Sequence, residues 1–152
     1  MTNVAQLFQP NLGTTVPTGY IGEYKEALGT STSLTTSIYN VTSNAGVSLS
    51  PGIWDIQASC VINPNSTSTL TTIFCFISTT TANDNTGIDG NRNLFSSYHG
   101  GITNSNGDSW RVSTPMWRVN VTSTTTYYPK IYVNFGTSTC TGTANIFARR
   151  VN

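Results

Sequence analysis

Charge is what this chain has least of. Asp, Glu, Lys and Arg make up 9% of its 152 residues, against about 25% in an average globular domain. The formal net charge is +1, and the one adjacent basic pair, Arg149-Arg150, stands near the C-terminal end. A nucleic-acid binder carries a basic stripe to meet phosphates, so the composition argues against that class. Long apolar runs are missing too. Nothing approaches the roughly 20 residues that cross a bilayer as a helix, and no membrane insertion is expected. The opening residues, Met1 to Leu7, have neither the basic nor the apolar part of a leader, so no signal peptide is expected.

Catalytic equipment is equally thin. There is one histidine, His99, and six carboxylates: Glu23, Glu26, Asp55, Asp84, Asp89 and Asp108. No Gly-x-Ser-x-Gly elbow is present to raise a serine nucleophile. A glycosidase needs two carboxylates across a cleft, one with a raised pKa, and nothing singles out Asp89 and Asp108 for those roles. The expectation is therefore no enzyme and no cofactor. Asp89-Gly90-Asn91-Arg92-Asn93-Leu94 starts like a calcium loop. It puts Leu94 where that loop needs glycine and Gly100 where it needs a bidentate glutamate, so no metal site is expected there. A looser cation site at Asp84, Asn85 and Asp89 competes with plain solvated turn residues.

Cysteine is scarce and odd in number: Cys60, Cys75 and Cys140. Their spacing fits no zinc pattern. Buried free thiols are the expectation, with one disulfide between neighbouring strands as the alternative. Asn40, Asn65 and Asn120 open Asn-x-Thr triplets, but a chain without an export signal would not meet the glycosylating machinery.

Thr, Ser and Asn fill the space left by charge, at roughly two residues in five, and aromatics reach 11%. Threonine favours strands, and that aromatic content is too high for a disordered chain. The sequence reads as one folded β domain over residues 19–152, preceded by an arm over 1–18 that Pro10, Gly13 and Pro17 interrupt. The arm is either a partly ordered terminus or a tether to a neighbouring subunit or particle.

The spine of the fold is Ile53–Ile62, introduced by the turn signal Pro51-Gly52. Trp54, Ile56, Ala58, Cys60 and Ile62 fall on one face, with Asp55, Gln57 and Ser59 on the other, which is the two-residue period of a half-buried strand. Further strands are expected over 19–28, 37–42, 70–78, 116–121, 127–135 and 140–151, with Gly29–Ser33 and Pro64-Asn65-Ser66 as turns and order restarting at Trp110-Arg111-Val112. A short strand is also read at Leu94–Tyr98. In 70–78, Leu70, Phe74 and Phe76 alternate with Ile73, Cys75 and Ile77, so both faces are apolar and both need cover; the second cover is expected from another subunit. Helical spacing never persists. Eight to ten strands separated by turn signals predict an all-β sandwich or jelly roll.

Leu49-Ser50-Pro51-Gly52-Ile53-Trp54-Asp55-Ile56, together with Tyr127-Tyr128 and the ending Ile146-Phe147-Ala148-Arg149-Arg150-Val151, resembles the head domain at the ends of bacteriophage tail fibres and in virophage proteins. The Pro-Gly-Ile-Trp-x-Ile stretch is also similar to a strand of tumour-necrosis-factor-like and complement-type heads. The resemblance runs from about Gly19 to Val151. It implies a single antiparallel jelly roll that assembles as a homotrimer, with Tyr128, Tyr132 and Phe147 as candidates for the threefold seam. It also implies a location in the virion or the cytoplasm of an infected host cell.

The long polar stretch 79–108 is the candidate binding region, because loops of that length tend to carry function. Stacking aromatics and hydrogen-bonding groups lie close together in and beside it: Asn91, Arg92, Tyr98, His99, Asn104, Asn106, Asp108 and Trp110. That mixture suits a sugar. A cell-surface glycan or receptor is the expected ligand, and a minor structural or assembly role in a virion, tethered by the arm, is the alternative. The competing assignment for Tyr98 and Trp110 is core or interface at the loop's base.

Overall fold

The computed structural model describes residues 16–36, 38–41, 45–65, 69–84, 86–88, 98–103, 109–136 and 139–152, with the backbone alone at 38–41 and 98–103. Most of the expected N-terminal arm, residues 1–15, lies outside them. Among the described residues there are eleven strands and no helix. They are β1 (Tyr24–Leu28), β2 (Thr32–Ser33), β3 (Ile38–Val41), β4 (Val47–Leu49), β5 (Gly52–Pro64), β6 (Thr69–Ser78), β7 (Tyr98–Thr103), β8 (Trp110–Ser113), β9 (Trp117–Val121), β10 (Thr125–Phe135) and β11 (Cys140–Arg150).

All pairings between these strands are antiparallel, in two sheets. The first runs β1-β11-β5-β8, with β2 on β11 and β9 on β5; the second runs β3-β10-β6-β7, with β4 on β10. Counting β1 with β2, β3 with β4 and β8 with β9 as single broken limbs leaves eight limbs, and their pairs are first with eighth, second with seventh, third with sixth and fourth with fifth. That is one long hairpin rolled up so that successive pairs alternate between two sheets. It is the jelly-roll arrangement, which disposes of most sheet edges by wrapping.

The core lies between the sheets. Trp54, Ile56, Ala58, Cys60 and Ile62 of β5 face it as their alternation predicts, joined by Ile73, Cys75 and Ile77 of β6, Ile131 and Val133 of β10, and Ala144, Ile146 and Ala148 of β11. Four features differ from the sequence reading. Thr32–Ser33, read as part of a turn, pairs with β11 as β2. Residues 19–23 are not strand: Gly19 and Gly22 hold positive φ (89° and 92°), a conformation that costs glycine little. Tight turns run there from Pro17 O to Tyr20 N and from Tyr20 O to Glu23 N. Pro64 belongs to β5, opposite Cys140. Leu70 faces inward with Ile73 rather than outward with Phe74, because the β6–β7 and β6–β10 registers slip between Leu70 and Thr72; one extra residue moves a side chain to the other face.

The expectation of free thiols is also corrected. Cys60 and Cys75 form a disulfide. β5 and β6 follow one another in sequence but sit in different sheets, so two inward-facing cysteines meet across the core. Cys140 remains a buried free thiol, and burial pushes its pKa up to about 11. The strand expected at 94–98 falls mostly outside the described residues; the strand seen there, β7, begins at Tyr98.

Candidate functional site

The two motifs that carry the resemblance, the Pro-Gly-Ile-Trp turn and the Ala-Arg-Arg ending, meet at Arg150. On β11 the inward series is Ala144, Ile146, Ala148 and Arg150, so the last member carries its guanidinium under the Pro51-Gly52 turn. There Arg150 Nε donates to Glu23 Oε2 at 3.0 Å, Nη1 to the Pro51 carbonyl at 2.8 Å and Nη2 to Ser50 Oγ at 2.6 Å. The guanidinium also lies over the Trp54 ring, 4.5 Å from its centroid, a cation–π contact. Trp54 in turn donates its indole N–H to Ser50 O at 2.9 Å. Gly52 has φ 147°, and a Cβ there would collide with Arg150 Nη1. Glycine is therefore needed twice over, for the backbone and for the space.

Glu23 closes this clasp from the N-terminal side. Its Oε2 also accepts the Gly19 N–H at 2.7 Å, and Lys25 Nζ stands 3.6 Å from Oε1. Burial alone would push the Glu23 carboxyl up; the Gly19 N–H, the Arg150 guanidinium and the Lys25 ammonium outweigh it and hold the pKa below the ordinary value. Lys25 donates to Ser48 O at 2.8 Å, which ties β1 to β4 beside the clasp.

A second built feature stands at the root of the long polar stretch. Lys130 points outward from β10 yet is 0% exposed. Its ammonium donates to Asp84 O (3.0 Å), Thr86 O (3.3 Å) and Thr80 Oγ1 (3.4 Å). Ser78 Oγ donates to Thr86 O at 2.9 Å, and Thr79 N donates to Gly87 O, so Asp84 and Thr86 are brought back over β10. Burial lowers the Lys130 pKa, partly offset by the Asp84 charge. Asp84 Oδ1 accepts from Thr86 N and Oγ1, which with Lys130 lowers its own pKa. Of the three residues considered for a metal cation from the sequence, Asn85 and Asp89 lie outside the described residues. The backbone oxygen of the third, Asp84, is turned to the chain's own ammonium.

The residues expected to bind a ligand are only partly in view. Asn91, Arg92, Asn104, Asn106 and Asp108 lie outside the described residues. Tyr98 and His99 open β7 in the second sheet, opposite Ile73 and Thr72. Trp110 opens β8 in the first sheet, opposite Ile62, half-buried and packed against the core. The seam candidates are divided as well. Tyr128 and Tyr132 stand on the outer face of the second sheet, while Phe147 lies between Glu26 and Gln57 on the first. The three therefore do not share one face of the fold.

No family model matches the sequence, and no curated protein does. Among solved structures, the chain is similar to one in the structure of infectious bursal disease virus, Gx strain, at 5% identity and a TM-score of 0.48, covering 85% of this chain and 32% of that one. It is also similar to one in the cyanophage Pam1 capsid asymmetric unit, at 18% identity and a TM-score of 0.38, covering 98% and 97%. The chain thus spans about a third of the bursal disease virus chain. Similarities this loose carry no argument about what the chain does.

Sequence reasoning missed Glu23, Lys130 and Arg150. For Arg150 the signal was present: in a chain this poor in charge, an arginine at the inward parity of Ala144, Ile146 and Ala148 has to be paired. Lys130 gave no such signal, because its outward parity is where a lysine is ordinary.

Proposed function

We propose that this chain is a non-enzymatic structural module of a virus particle, a tumour-necrosis-factor-like jelly-roll head that assembles as a homotrimer and meets a surface glycan or receptor through the segment 79–108. The observation that carries this reading is the clasp: the Pro-Gly-Ile-Trp turn and the Ala-Arg-Arg ending, which carry the resemblance, are one packed unit built on Trp54 and Arg150. Fold alone does not determine function, so the binding half of the proposal rests on the loop. The anchoring of its first residues through Lys130 supports it, since that anchor gives the loop a fixed root. A glycan array tests it: binding that disappears when 89–97 is replaced by a short Gly-Ser linker supports attachment, and no binding by the intact chain removes it.

A tethering role for the N-terminal arm has one observation in its favour. Gly19 N is held directly by the buried Glu23 carboxylate, so tension on the preceding segment would be passed to β11 and the core. Incorporation into particles that is unchanged after removal of residues 1–15 would count against it.

A further inference from the structure

Five large apolar side chains among the described residues stand between 54% and 65% exposed: Tyr20, Ile21, Tyr24, Leu28 and Met116. The first four are on β1 or the turns before it. Met116 is in the connection between β8 and β9, on the opposite edge of the same sheet. Both edges are unpaired among the described residues. The hydrogen bonds Arg150 N to Glu23 O and Gly29 N to Ala144 O turn the backbone groups of alternate residues from Glu23 to Gly29 toward β11. Those of Tyr24, Glu26 and Leu28 therefore face the open edge. The bond Thr114 N to Ala58 O likewise leaves those of Arg111 and Ser113 open.

Glu26 and Arg111 are exposed charges in the two edge strands; Arg118 of β9, at the same edge as Arg111, is exposed too but is paired with Asp55. Glu26 is in the middle of β1, its carboxylate accepting the Tyr24 hydroxyl at 3.0 Å, and Arg111 is in β8. Neither has an ion-pair partner among the described residues. Because the strands alternate in direction across β1-β11-β5-β8, a copy placed beside this one with its outer face flush brings its β1 antiparallel to this β8. Setting Glu26 opposite Arg111 then sets Tyr24 opposite Ser113, and the same register carries Met116 to the level of Ile21. Pairing β1 with β1 over its full length would instead set Glu26 against Glu26, which is unfavourable.

We propose that the first sheet continues from copy to copy, β1 of one chain pairing with β8 of the next, with Glu26 against Arg111 and Met116 against Tyr20 and Ile21. The occupant of each edge is a second copy of this chain. The contact is head-to-tail, so a ring forms when the rotation closes. This inference rests on the self-assembly part of the proposed function and supplies its interface.

The test is sedimentation equilibrium of the full chain as wild type, Glu26→Arg, Arg111→Glu and the double reversal. Both residues are exposed, so the variants should fold, which circular dichroism verifies. Each single reversal should weaken association about tenfold, and the double reversal should recover most of it. Singles that associate as tightly as the wild type, or a double that recovers nothing, overturn the edge pairing and leave self-assembly standing. A wild type that sediments as a monomer at its highest soluble concentration overturns both.

Discussion

Arg150 joins residues that are far apart in sequence: Glu23 at the entry to β1, Ser50 and Pro51 before β5, and the ring of Trp54. Its removal leaves the Glu23 carboxylate buried beside no guanidinium. Breaking a buried pair from one side costs about 3–5 kcal/mol, and Arg150→Ala should lose that much in urea unfolding at neutral pH. Arg150→Lys should recover only part, because an ammonium cannot make the same forked set of contacts. The pH dependence follows from the lowered Glu23 pKa. A carboxyl lowered by folding contributes stability that is present above its unfolded pKa, about 4.3, and is lost as pH falls through the folded value. The wild type should therefore weaken below about pH 4.3, and Glu23→Gln should show a flatter profile in that window; identical profiles would show that the clasp does not titrate.

At the scale of elements, the long strands were legible because their alternation is strict. β5 and β11 follow a period of two in which the inward residues are the buried ones, and β10 does so except at Lys130, outward yet buried under the loop root. What alternation could not reveal was any event that breaks it. The slip beside Leu70 needs the partner strand to be known, and Tyr20 and Ile21 look like strand residues until the positive φ of Gly19 and Gly22 is seen. β7 was hidden because its His99-Gly100-Gly101 run carries no apolar period. The disulfide depended on knowing that β5 and β6 lie in opposite sheets. A cross-link with a sequence separation of 15 is worth about 3 kcal/mol in the chain-entropy account. Cys60→Ala with Cys75→Ala should lose about that much, whereas Cys140, buried with its pKa raised, should resist thiol reagents until the protein unfolds. Lys130→Met should remove the donor that Asp84 O, Thr86 O and Thr80 Oγ1 share. Hydrogen exchange should then accelerate in 79–88 more than in β10; equal acceleration in both would show that Lys130 supports the sheet rather than the loop.

For the whole molecule, the decisive quantity is where the surplus apolar surface lies. The sequence reading put it on the outward face of β6 and on the tyrosines of β10, to be covered by another subunit. Phe76 is nevertheless only 4% exposed within one chain, opposite the Lys130 that the loop root covers. Phe74 packs against Phe76 and Tyr132 at ring-centroid distances of 5.6 and 5.8 Å. Among the described residues this stretch of β6 and β10 is buried or half-buried by its own chain, and the large apolar side chains that stand exposed are at the two edges of the first sheet. Light scattering distinguishes the two seams against the 16.3 kDa monomer. Met116→Asp places a charge where the neighbouring Ile21 would pack and should lower the assembled mass toward the monomer, while Tyr132→Asp should leave it unchanged. The reverse outcome would move the seam to the second sheet, from whose strand β6 the segment 79–108 leaves.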